Sequence, residues 1–70
     1  MADVEGELHK TIDDITDDVS RLKNVQQETQ GLSPGDARTR TLADEAVRIA
    51  GQILPKTVKE RKLAEEVSSD

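Results

Sequence analysis

At 70 residues the chain is one small domain at most, a size at which a single core leaves little surplus stability without a disulfide, a metal or a partner. It has no cysteine and one histidine, which excludes disulfides and a zinc site of the usual Cys/His type, so oligomerisation is the device that remains. A net charge of −5, with eight acids against three bases in residues 1–30 and seven of each in 31–70, disfavours nucleic acid and anionic lipid as partners. The absence of Phe, Tyr and Trp removes the usual filling of a globular core and suits a thin helical bundle built from Leu, Ile, Val and Ala.

Residues 1–6 are expected to be frayed, because Gly6 weakens a helix there. Helix 1 is predicted over about 7–30. Its apolar residues Leu8, Ile12, Ile15, Val19 and Leu22 alternate spacings of four and three, which keeps them on one side of a slightly under-wound helix. Placing Leu8, Ile15 and Leu22 at position d puts Ile12 and Val19 at a, the combination that favours a parallel pair. The next seam positions, Gln26 and Thr29, are polar, so the stripe is expected to fade. Asp17 and Arg21 form an i, i+4 pair, and Asp18 at g of one helix would reach Lys23 at e of another.

The run Gly-Leu-Ser-Pro-Gly-Asp at 31–36 breaks the helical pattern. Gly31 suits a left-handed residue after a helix end, Ser33 suits an N-cap, Pro34 the first helical position and Asp36 the fourth member of a capping box. A loop of 31–33 followed by helix 2 over 34–54 makes the two helices antiparallel neighbours. Leu42, Ala46, Ile49 and Ile53 repeat the four-three spacing, with Ala43, Val47, Ala50 and Leu54 one step round. Together they cover about 160° of the helix, more than one neighbour hides.

Pro55 disfavours helical geometry at Leu54, so a short helix 3 is predicted over 58–67, opened by a Thr57/Glu60 capping box. The alternative is a Pro-kinked extension, since Leu63 and Val67 keep the phase of Ile49 and Ile53. Residues 68–70 read as tail. The predicted fold is therefore an all-α helical hairpin with coiled-coil-like packing, in one domain spanning 1–70, completed as a bundle by oligomerisation.

Function follows from what is present. Asp13, Asp14, Asp17 and Asp18 share helix faces, but a cation site needs six or more converging oxygens from a loop, so they read as a solvated acidic surface that a basic partner would meet. His9 has no companion ligand or base, and no serine sits in a nucleophile elbow. No cofactor, metal or catalytic group is expected, and the chain does not read as an enzyme. The first expectation is a protein–protein interaction and oligomerisation module of structural or adaptor type, homo- or hetero-oligomeric. Its seam is Leu8, Ile12, Ile15, Val19 and Leu22 against Leu42, Ala46, Ile49 and Ile53. The second is an acidic regulatory binder, antitoxin-like or inhibitor-like, covering a basic surface. The third is a small DNA-binding regulator in which helix 2, a turn at Pro55 and helix 3 imitate a helix-turn-helix. No apolar run approaches the roughly 20 residues of a membrane span and no signal-peptide pattern opens the sequence, which favours the cytoplasm and otherwise leaves the compartment open.

Overall fold

A computed structural model describes residues 3–69. The molecule is the helical hairpin expected from the sequence, with α1 at Val4–Gln30 and α2 at Arg38–Ser68 packed against each other. It forms a rod 54 × 16 × 14 Å.

Helix α1 starts earlier than the expected 7. Asp3 is its N-cap and accepts a hydrogen bond from the Gly6 backbone N–H at 3.0 Å, satisfying one of the orphan donors of the first turn. A Cβ on Gly6 would meet that carboxylate, so the glycine admits the cap. The expected fraying of residues 3–6 is thus replaced by a capped turn, and residues 1 and 2 lie outside the described residues. Of the expected tail, Ser68 belongs to α2 and residue 70 also lies outside the described residues.

The connection differs from expectation in its chemistry. Gly31 keeps a right-handed φ of −82° and donates to the Gln27 and Glu28 carbonyls, so no left-handed cap is formed. The left-handed residue is Gly35, at φ 85°. Pro34 and Gly35 occupy the two central positions of a turn closed by the Asp36 N–H donating to the Ser33 carbonyl at 3.1 Å, the residue pattern of a type II turn. A residue with that φ cannot lie in a right-handed helix, so α2 begins at Arg38 instead of Pro34, and Ser33 is not its cap. Asp36 takes over locally. Its carboxylate accepts the Arg38 N–H at 2.9 Å and the Arg38 guanidinium at 2.8 and 3.2 Å.

Helix α2 then runs through Pro55 without a break, so the separate helix over 58–67 does not exist and the extension is its form. Proline removes one backbone donor, leaving the Gly51 carbonyl without its helical partner. Both residues are exposed, so water reaches that side of the helix. Thr57, expected as a cap, donates its hydroxyl to the Leu54 carbonyl at 2.8 Å. An interior proline costs about 3 kcal/mol. Continuing the helix buries Leu63, itself worth about 1.5–3 kcal/mol, and brings Lys56 onto α1, which offsets that cost.

The core lies nearer the loop. Val25, Leu42 and Ile49 are buried together, with Leu22, Leu32, Ala46 and Ile53 packed around them. Further from the loop the seam narrows to Asp18, Lys56, Thr11 and Leu63.

Candidate interaction surface

Two lines of α1 were available to face α2, and both include Leu8, Ile15 and Leu22. One adds Ile12 and Val19. The other adds Val4, Thr11, Asp18, Val25 and Leu32, which also repeat every seven residues. The fold uses the second line. Thr11, Asp18 and Val25 are buried, Leu8, Ile15 and Leu22 are half-buried, and Ile12 and Val19 remain 39% and 49% exposed. The expected seam is therefore corrected at Ile12 and Val19, and helix α1 is rotated by roughly 50° from the expected phase.

The cause is polar matching across the hairpin. On α2, Leu42, Ile49, Lys56 and Leu63 also repeat every seven residues, with Lys56 as the one polar member. In the antiparallel register Lys56 meets Asp18, and its Nζ donates to Asp18 Oδ2 at 2.6 Å while Arg21 Nη1 lies 3.6 Å from Oδ1. The Asp18 side chain is 7% exposed, whereas the Lys56 side chain keeps 36% of its surface in solvent. The lysine thus lays its stem along the seam and holds its head group at the edge. Thr11 fits the seam because its hydroxyl donates to the Glu7 carbonyl at 2.8 Å, and Thr29 does the same to Val25. The seam therefore continues past Leu22 through Val25 and Thr29 instead of fading.

Leu42 and Ile49 lie in the core as expected, and Ala46 and Ile53 flank it. Of the four acids, Asp13, Asp14 and Asp17 are exposed, and Asp18 is withdrawn into the hairpin. Arg21 pairs with Asp18 and not with Asp17, because the seam brings Asp18 under it. The turn at Pro55 that a helix-turn-helix needs is absent. Among the described residues no group of three or more His, Cys, Asp or Glu is placed to hold a metal ion, and no described helix is long and apolar enough to cross a membrane.

What the hairpin leaves uncovered is the second half of the broad apolar face of α2. Val47, Leu54 and Val58 are 72, 68 and 65% exposed. Ala43, Ala50 and Gly51 lie among them and are exposed too. The Asp18–Lys56 pair fixes which way round this surface lies. It marks one edge of the seam, and helical geometry carries Ile12 and Val19 of α1, with Leu54 and Ala50 of α2, to the opposite edge. Between the levels of Ile12 and Gln26 that side carries one charged residue of α1, Lys23. Charge depletion with clustered aliphatic side chains is the composition of the centre of a protein interface.

The sequence pointed to Val47 and Leu54 as lying one step round from the core line. Val58 lies beyond Pro55, whose local preference is to end a helix, and it joins this face only because α2 continues through the proline. The seven-residue spacing of Val47 to Leu54, and of Gly51 to Val58, is the signal that locates it.

Comparison with family models, with curated proteins and with solved structures finds no match.

Proposed function

We propose that this protein works by association: a non-enzymatic interaction and oligomerisation module, structural or adaptor in role, whose hairpin presents the exposed aliphatic face of α2 to another helix. The observation that supports this reading is the exposure of Val47, Leu54 and Val58 on a chain with no aromatic residue and only four buried hydrophobic side chains among those described. A fold with so small a core gains stability from covering a second face, at about 25 cal/mol per Å² of apolar surface removed from water. The test is molar mass by light scattering with helix content by circular dichroism, over a concentration series at low and high salt. Apolar association raises the mass above 7.7 kDa with concentration and persists at high salt. A mass fixed at 7.7 kDa with concentration-independent melting overturns self-association.

One observation favours the acidic binder as a second reading. Asp13, Asp14 and Asp17 are exposed, and none makes an ion pair with a described residue. A basic partner held there would be released as salt rises, the opposite of the first reading.

A further inference from the structure

The uncovered line on α2 is itself a heptad line. Starting from its apolar centre, Val47, Gly51, Leu54 and Val58 are spaced four, three and four, roughly 150° round the helix from the hairpin seam. The same spacing continues outward to Asp44 and Arg40 at one end, and to Arg61 and Glu65 at the other. All of these residues are exposed. The line runs for about 38 Å.

Its order is self-complementary when reversed. Two copies laid antiparallel across a two-fold axis between Gln52 and Ile53 set Arg40 against Glu65 of the other copy, and Asp44 against Arg61. In the middle they set Val47 against Val58, and Leu54 against Gly51. Every layer then joins opposite charges, two valines, or a large side chain and a glycine, and each occurs twice. In-register parallel pairing does the reverse, opposing Arg40 to Arg40, Asp44 to Asp44, Arg61 to Arg61 and Glu65 to Glu65. Like charges facing each other across a seam are destabilising, so the line discriminates between the two orientations.

Gly51 adds to this. A Cβ built there meets nothing within 4 Å, so the hairpin itself has no packing need for glycine at a mid-helix position where alanine is more favourable by about 1 kcal/mol. The room it leaves is where the opposing Leu54 falls. Within the monomer, Arg61 reaches only Glu65 on its own helix, at 3.2 Å with both side chains exposed, a pair that leaves both available to further partners.

We propose that the occupant of this face is a second copy of the same chain, docked antiparallel through α2 so that a two-fold axis passes between Gln52 and Ile53. This rests on the association reading above. A contact of one helix pair is at the small end of protein interfaces, so the dimer is reversible, with a Kd on the order of 1–100 μM.

Sedimentation equilibrium on the wild type, Arg40→Glu, Glu65→Arg and the double variant Arg40→Glu/Glu65→Arg tests it. Both positions changed are exposed, so circular dichroism should report the same hairpin throughout. Each single reversal places two like-charged pairs in the antiparallel dimer and should weaken it about tenfold, whereas the double variant restores opposite charges and should return to within about threefold of wild type. A dimer indifferent to the single reversals, or one that the double variant fails to restore, overturns the antiparallel α2 contact while leaving self-association standing. A wild type that stays at 7.7 kDa at every concentration overturns both.

Discussion

The two long faces of α2 are built in opposite senses. The inner line, facing α1, has aliphatic residues at its two ends, Leu42 and Ile49 near the loop and Leu63 beyond, with charged Lys56 between them. The outer line has aliphatic residues in the middle and charges at both ends. The difference teaches what each kind of order specifies. A single polar pair inside an apolar seam fixes one register for two different helices, because any slip leaves Asp18 buried without Lys56. Charges at the two ends of an apolar stretch fix orientation between two identical helices, and do so at the surface, where ion pairs steer more than they stabilise.

The largest expected effect breaks the inner line. Ile49 is 2% exposed at the centre of the core, so Ile49→Ala should cost about 2–5 kcal/mol and leave the chain largely unfolded by circular dichroism at 25 °C. Next comes the polar pair. Lys56→Ala strips the partner from a nearly buried carboxylate and should destabilise the hairpin by about 2 kcal/mol in urea unfolding, a value kept low because the lysine head is partly solvated. Asp18→Leu with Lys56→Leu should recover that loss, since well-packed apolar replacements of buried ion pairs are neutral or stabilising. If the double change were as destabilising as the single one, the pair would be contributing more than register.

On the outer line a substitution should have the reverse sign for the fold. Gly51→Ala should raise hairpin stability by about 1 kcal/mol through helix propensity while weakening association, and these two readouts moving together would remove Gly51 from the contact. The smallest effect belongs to the loop. The Arg38 guanidinium beside Asp36 holds its carboxyl at about 2 instead of 3.8, so the contribution of this pair is present above about pH 3.8 and is lost as pH falls towards 2. Arg38 is exposed and Asp36 only half-buried in a surface loop, so thermal melts between pH 5 and 2.5 should show only a slightly smaller loss for Asp36→Asn than for the wild type.

Much of this architecture was legible in the sequence. The hairpin follows from the break at 31–36 and from the seven-residue spacing that Leu8, Ile15 and Leu22 share with Leu42 and Ile49. The phase of α1 was not legible from α1 alone. Hydrophobicity ranks Ile12 and Val19 above Thr11 and Asp18, and only Lys56, 38 residues away, reverses the order. Pro55 misleads for a related reason: its local preference to end the helix is outweighed by the contact of Lys56 with Asp18 and by the burial of Leu63. In both places a non-local contact overrode a local propensity. The outer line was half visible through Val47 and Leu54, and its symmetry emerges only once α2 is continuous to Glu65.

The central claim is that the inner face of α2 makes the fold and the outer face makes the assembly. Leu54→Lys tests it most directly, because Leu54 is 68% exposed and its loss leaves the hairpin seam untouched. Molar mass and the helical circular dichroism spectrum are measured on the same samples across concentration. The prediction is an unchanged helical spectrum with a mass of 7.7 kDa at concentrations where the wild type doubles it. A variant that keeps the doubled mass, or that loses its helix together with its partner, would contradict the separation of the two faces.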